Sequence, residues 1–213
     1  MRRRSWILPG SRALLSIALG LLITFNSNHS PSLGLTAFGI FAILTGLVIV
    51  GFAAFTTITA TARVPFIAQG VVTLAAGIAA ATVPNGGVRY LVLVLSGWAI
   101  IAGVLELVSG VRSRGTAPGA RDWTIVGALT VILGIIVLVV PPDFVLNFEG
   151  EKNVAGTLSS SIVIVGLLGF WAVITGVLQA IAAATPTAAR PAGIPPTGTG
   201  SSTDASTPAG SAR

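Results

Sequence analysis

Two pairs of side chains that could take part in binding or catalysis recur at the same spacing inside apolar runs. Glu106 follows Trp98 by eight residues, and Gln179 follows Trp171 by eight residues. An acid inside a long apolar helix is costly, and such acids often carry protons, ions or ligands. An indole ring inside a membrane helix either packs against small residues of a neighbouring helix or stacks on a ligand. These four residues are therefore the candidate functional residues.

Two interpretations of Glu106 follow from its position. Glu106 precedes Arg112 by six residues, about 9 Å along a helix. This depth favours an interfacial glutamate that pairs with Arg63, Arg112 or Arg114. The alternative is a proton or ligand site within the bundle. Gln179 at the corresponding place favours the paired interpretation, because a neutral amide does not exchange protons.

Composition indicates that these residues belong to a membrane protein. Hydrophobic residues make up 53% of the 213 residues, charged residues make up 8%, and the mean hydropathy is +0.93. Soluble domains carry about 25% charged residues, so water could not solvate this surface. The absence of cysteine excludes disulfides, thiolate nucleophiles and cysteine-ligated metals. The net charge of +6 comes from scattered basic residues, a distribution that favours an orientation signal over nucleic-acid binding.

Six apolar segments are separated by polar or turn-forming residues. They lie at 11–26, 34–58, 65–84, 89–111, 123–141 and 158–184. About 20 apolar residues cross an apolar core of about 30 Å. The sequence therefore predicts an all-α polytopic membrane protein with six transmembrane helices. Arg12, near the start of the first segment, is expected to extend toward the headgroups. Because basic residues precede this segment, a signal peptide is its alternative interpretation.

An internal repeat organises these segments. Gly20, Gly77 and Gly134 are equally spaced along the chain, and their spacing defines the period of the repeat. Trp98 and Trp171 fit the same period once the longer loop before the sixth segment is counted as an insertion. The sequence thus predicts three tandem two-helix repeats. They cover about residues 11–58, 65–111 and 123–184.

Small residues recur seven positions apart within the predicted helices. Seven residues make nearly two helical turns, so these positions share one face. Lipid tails are as apolar as leucine, and membrane helices therefore gain from the close backbone approach that small residues permit. The predicted helix-packing positions are Gly20, Gly46, Gly77, Gly103, Gly134 and Gly176.

The basic residues predict the orientation of the chain. Only Arg89 and Lys152 fall on one side of the predicted membrane, and the other ten fall on the opposite side. The positive-inside rule then predicts a multi-pass protein of the plasma membrane, a bacterial inner membrane, with both termini cytoplasmic. Residues 1–10 form a basic cytoplasmic N-terminus, and residues 11–184 form the membrane domain. Residues 185–213, rich in Pro, Ser and Thr, form a disordered cytoplasmic tail.

Partners and cofactors are few in this interpretation. The expected partner is the lipid bilayer, with self-association or other membrane proteins as further partners and no nucleic acid. Phosphate-binding loops, metal-ligand clusters and nucleophile triads are absent from the sequence, so we expect no enzyme, no catalytic or metal-binding residues and no cofactor. Residues 142–157 form the sizeable outer loop.

The repeated motifs also resemble a known family. "GWAIIAGVLELVSGVR", "FWAVITGVLQAIAAA", "GIAAATVP" and "GIIVLVVPP" are similar to segments of the HdeD-type acid-resistance membrane proteins. The resemblance covers about residues 11–184. It implies a six-span inner-membrane protein that is associated in some members with acid stress, and it brings no catalytic residues. We therefore expect a stress-associated structural or interaction role, with a small-solute or proton transporter or channel as the alternative.

Overall fold

A computed structural model describes residues 6–55, 60–115, 119–150 and 154–185. It contains six helices that are long and apolar enough to cross a membrane, so the all-α, six-helix prediction is confirmed. They are α1 (Ile7–Phe25), α2 (Pro31–Phe55), α3 (Ala60–Thr82), α4 (Gly87–Arg112), α5 (Ala120–Val139) and α6 (Ser160–Ala184). Residues 1–5 of the expected basic N-terminus and residues 186–213 of the expected tail lie outside the described residues.

Local turn chemistry sets the ends of the helices. After α1, the side-chain oxygen of Asn26 accepts the Asn28 N–H at 2.9 Å, and that of Asn28 accepts the Ser30 N–H at 3.0 Å. Pro31 then begins α2, a position suited to proline because the first N–H of a helix has no partner within it. The chain therefore reverses direction within a few residues.

Helix α3 begins earlier than the sequence predicts. The apolar segment was expected to start at residue 65, yet the helix starts at Ala60 and contains Pro65 near its N-terminal end. Proline removes one helix hydrogen bond at this position, because residue 65 lies just beyond the four N–H groups that lack a partner at a helix start. The prediction that the helix starts at Pro65 is therefore wrong.

A β-hairpin occupies much of the expected outer loop. Strand β1 (Val145–Gly150) pairs antiparallel with β2 (Val154–Ser159), with Val145 opposite Ser159. The hydroxyl of Ser160 lies 2.8 Å from the carbonyl oxygen of Pro141 and so fastens the base of the hairpin to the end of α5. The sequence did not predict this hairpin.

Glycines mark three close helix pairs: α1 with α6, α2 with α3, and α4 with α5. A Cβ added at Gly46 of α2 would lie 2.8 Å from the backbone nitrogen of Leu74 in α3. A Cβ added at Gly103 of α4 would lie equally close, 2.8 Å, to the backbone nitrogen of Val131 in α5. Added Cβ atoms also come within 2.6–2.9 Å of the paired helix at Gly20, Gly77, Gly134 and Gly176. The α1–α6 contact joins the first helix to the last.

The interior and the exterior of the bundle are both apolar. Phe38, Leu91 and Leu168 are among the fully buried side chains. Large apolar side chains also project outward, as at Leu93, which is 68% exposed, and Phe170, which is 67% exposed. Soluble monomers rarely present continuous apolar surface of this kind. Together with the length of the helices, this surface is that of a multi-pass integral membrane protein.

Candidate functional site

A buried ion pair lies between α1 and α4. The guanidinium of Arg12 donates two hydrogen bonds to the Glu106 carboxylate, from Nη1 to Oε1 at 2.6 Å and from Nη2 to Oε2 at 3.0 Å. The Nε2 atom of Gln69 in α3 donates a third hydrogen bond, to Oε2 of Glu106 at 2.7 Å. Both charged residues are buried. Two-point guanidinium–carboxylate pairing is strong and directional, so this contact joins three helices in one arrangement.

The expected partner of Glu106 is wrong, and so is the expected position of Arg12. Arg112 and Arg114 are exposed, and Arg63 donates to two backbone carbonyls near the C-terminal end of α2. Arg12 does not extend toward the headgroups but turns into the bundle, where it is 8% exposed. A carboxylate in a low-dielectric interior attracts a buried guanidinium far more strongly than an exposed, solvated one. Glu106 is therefore buried among the helices rather than paired with an exposed arginine.

The candidate tryptophans meet in the buried core of the bundle. The ring centroids of Trp98 and Trp171 are 5.4 Å apart, with the rings edge to face. Two phenylalanines of α2 join them: the Phe41 centroid is 6.4 Å from Trp98 and 6.0 Å from Trp171, and the Phe38 centroid is 4.9 Å from Trp98. The Nε1 atom of Trp98 donates to the Thr73 hydroxyl, and that of Trp171 donates to the Thr130 hydroxyl, both at 3.2 Å. Each indole is thus held to an odd-numbered helix.

These contacts correct the expected packing of the indoles. One of the two alternatives from the sequence was packing against small residues of a neighbouring helix, whereas the two rings pack against each other and against Phe38 and Phe41. The nearest atoms to Gly103 and Gly134 belong to valine, isoleucine, alanine and glycine residues of the paired helices. The glycines therefore lie between paired helices, while the aromatic rings fill the centre.

A small cavity brings the four candidate residues together. Its volume is about 20 Å³, and Glu106, Gln179, Trp98 and Trp171 all line it. The Gln179 side chain is buried, and its Oε1 atom has no hydrogen-bond partner among the described residues. A polar cavity of at least about 10–15 Å³ can hold one water molecule. The site therefore has room for one water-sized molecule beside an ion pair.

The repeat spacing contains a signal for residues that the sequence interpretation missed. Gln69 follows Arg12 by one full period of the repeat, and Thr130 follows Thr73 by the same interval. All four line the cavity. Arg12 was taken as interfacial because of its position near a segment end, and the neutral side chains drew no attention. The tandem repeat itself stays a prediction.

The chemistry of the site does not suggest a bound metal. The carboxylate of Glu106 already accepts three hydrogen bonds, two of them from a cation. Over the four described ranges, no group of three or more histidine, aspartate and glutamate residues could hold a metal ion. The arrangement can fix helices relative to one another and can enclose a small hydrogen-bonding molecule.

Comparison with known proteins gives one partial match. Residues 68–139, about a third of the chain, match the family model described as a short repeat of unknown function (DUF308). This segment runs from α3 to the end of α5 and includes Gln69, Trp98 and Glu106. Neither the curated proteins nor the solved structures gave a match. The central part of the chain is thus similar to a short membrane repeat.

Proposed function

We propose that this protein is a multi-pass protein of the bacterial inner membrane with a structural or interaction role, stress-associated and of the HdeD-like type, and not an enzyme. The observation that carries the structural role is the buried pair of Arg12 and Glu106, supported by Gln69. The three hydrogen bonds that the Glu106 carboxylate accepts all join α1, α3 and α4. A carboxylate whose hydrogen bonds are already made suits a fixed tie better than a reacting group.

The size of the cavity favours a structural role over transport of a larger solute. About 20 Å³ accommodates one water molecule, and a solute with several heavy atoms does not fit beside the ion pair in this conformation. The partners we propose are the lipid bilayer and, through the apolar exterior, other membrane proteins or a second copy of the chain.

The distribution of arginines supports the proposed orientation. Arg63, Arg112, Arg114 and Arg121 lie near the ends of helices on the side proposed to be cytoplasmic, whereas Arg89 lies at the opposite end of α4. This asymmetry follows the positive-inside rule. Reporter fusions after Ser30, Gly87 and Lys152 should report an outer location, and fusions after Ala62, Gly115 and Ala188 a cytoplasmic one. A reversed pair of fusions would contradict the orientation.

The stress association rests on the resemblance of the repeated motifs to the HdeD-type proteins. A strain that lacks the gene should survive low pH, or osmotic or envelope stress, less well than its parent, and the wild-type gene should restore survival. Equal survival of the two strains under all these conditions would contradict this part of the proposal.

A proton or small-solute transporter is the second candidate, because buried ionisable residues inside membrane bundles often lie on transport pathways. The variant R12Q/E106Q separates the two functions. Replacing both members of a buried pair by neutral residues leaves no uncompensated charge, so we expect the double variant to fold. If the pair is structural, the folded double variant should complement the deletion strain. If Glu106 carries protons, the same folded variant should fail to complement, and proteoliposomes should lose proton flux.

A further inference from the structure

We propose that the cavity beside the ion pair binds one water molecule that joins α2, α3 and α6. Three oxygen atoms on these helices are buried without a hydrogen-bond partner among the described residues: Oγ1 of Thr45, Oε1 of Gln69 and Oε1 of Gln179. The three residues are only 4%, 3% and 6% exposed. All three line the same cavity. Buried polar atoms left without partners are rare in native proteins, and internal water commonly supplies the missing partner.

The ion pair fixes the direction of the Gln69 amide. A carboxylate that pairs with a guanidinium only accepts hydrogen bonds, so Gln69 must present its Nε2 atom to Glu106, at 2.7 Å. The Oε1 atom of Gln69 is consequently the end of the amide that remains free to accept. The assignment of oxygen and nitrogen, which is otherwise ambiguous for glutamine, is here determined by chemistry.

The hydrogen-bonding pattern of the cavity matches water. The two glutamine oxygens only accept hydrogen bonds, whereas the Thr45 hydroxyl can donate. A water molecule can donate to Gln69 and Gln179 and accept from Thr45. This gives three hydrogen bonds, the usual number for an internal water. The volume of about 20 Å³ is also that of a site for a single water.

The charges around the cavity favour a neutral occupant. Arg12 and Glu106 both line the cavity and carry opposite charges, so they compensate each other. A sodium or ammonium ion would add an uncompensated positive charge close to the guanidinium, in an interior where charges are poorly screened. Water satisfies the same oxygen atoms without that cost.

The bound water extends the buried polar contacts to five helices. Arg12 of α1, Gln69 of α3 and Glu106 of α4 are already joined directly. The water connects Gln69 to Thr45 of α2 and Gln179 of α6. This inference concerns the interior alone and does not rest on the proposed stress function.

The variant T45V tests the bound water through the direction of its effect on stability. If the Thr45 hydroxyl donates to a water, its loss should lower the Tm of the full-length protein in detergent by about 2–4 °C. If the hydroxyl has no partner, valine removes a buried unsatisfied group and the Tm should rise. A higher or unchanged Tm would overturn the proposal. T175V is the matched control. The hydroxyl of Thr175 donates to the Trp171 carbonyl of its own helix at 2.8 Å, so its removal breaks no contact between helices. The Tm of T175V should therefore stay close to that of the wild type.

A second variant and a direct observation keep the test independent of T45V. Q179M should also lower the Tm, and the double variant T45V/Q179M should lower it by less than the sum of the two single changes, because both variants break the same bridge. Additive effects would overturn the proposal.

A high-resolution experimental structure should place one ordered water within hydrogen-bonding distance of Thr45, Gln69 and Gln179. A wild-type Tm that rises with only one of ammonium chloride and sodium chloride at equal ionic strength would instead indicate a bound cation, which contradicts a neutral occupant.

Discussion

The two ends of the bundle each carry an arginine–carboxylate pair, and the two pairs differ in almost every physical respect. Arg12 and Glu106 have side chains that are only 10% and 3% exposed, and their shortest N–O distance is 2.6 Å. Arg89 and Asp143, at the end with the hairpin, have side chains that are 79% and 82% exposed, with a distance of 3.2 Å. The first pair makes two parallel hydrogen bonds, whereas the second makes one.

This difference shows that the contribution of a pair depends on its surroundings rather than on its residue types. An exposed pair contributes about 0.2–1 kcal/mol, because water and salt screen the charges and the side chains lose freedom. A buried pair contributes little net stability relative to apolar residues, yet breaking it costs much, since the remaining charge stays buried. The buried pair thus specifies which helices meet, and the exposed pair specifies little.

The largest expected effect is that of E106Q. The change leaves the guanidinium of Arg12 buried without a counter-charge, which costs about 3–5 kcal/mol. Thermal unfolding in detergent and abundance in the membrane should both show a severe loss. Gln179 is neutral at the corresponding repeat position, which taken alone would predict that E106Q is tolerated. The buried Arg12 makes the change costly. An E106Q protein as stable as the wild type would mean that the pair does not form.

The glycine contacts predict the next effect. G103L places a side chain where even a Cβ atom would lie 2.8 Å from a backbone nitrogen of α5. Overpacking of this kind costs about 1–3 kcal/mol and more where backbone must move. G97L is the matched control on the same helix, because no atom lies within 4 Å of a Cβ added there. If both variants lose the same stability, the close contact with α5 does not explain the loss, because G97L makes no such contact and leucine has a higher helix propensity than glycine.

A smaller effect is expected from T73V. Valine removes the Thr73 hydroxyl oxygen, which accepts a hydrogen bond from Nε1 of Trp98 at 3.2 Å. A buried donor left without a partner costs about 1–3 kcal/mol. The double variant T73V/W98F removes both partners, so its loss should be smaller than the sum of the losses of T73V and W98F. Melting temperatures of T73V, W98F and the double variant provide the comparison. Strictly additive losses would show that the hydrogen bond is not formed.

The smallest effect belongs to the exposed pair. R89Q should change stability by at most about 1 kcal/mol, and added salt should reduce even that difference because it screens exposed charges. Melting temperatures at low and high salt provide the measurement. A loss as large as that of E106Q would remove the contrast between the two ends of the bundle.

Much of the fold could be predicted from the sequence, because the membrane leaves few choices. Long apolar runs must form helices, since a backbone in lipid has to satisfy its own hydrogen bonds. The predicted runs matched the six helices to within a few residues, apart from the start of α3. The hairpin of β1 and β2 was not predicted, because its short strands lie almost entirely outside the apolar runs.

The partners of the candidate residues were harder to predict. The sequence drew attention to Glu106 and the two tryptophans, and these do lie at one site. It assigned Glu106 to a loop arginine, because depth along one helix says nothing about which neighbouring helix turns a side chain toward it. The contact of α1 with α6 brings Arg12 into the interior, and this contact between the first and last helices is not visible in local sequence.

The most direct test of the account is a double-mutant cycle on the buried pair. The variants R12Q, E106Q and R12Q/E106Q are compared with the wild type by thermal unfolding in detergent. Each single change should cost about 3–5 kcal/mol, since each leaves one buried charge. The double variant should recover most of that loss, which gives a large coupling between Arg12 and Glu106. A double variant whose loss equals the sum of the two single losses would contradict the account, because it would mean that the two charges do not interact inside the bundle.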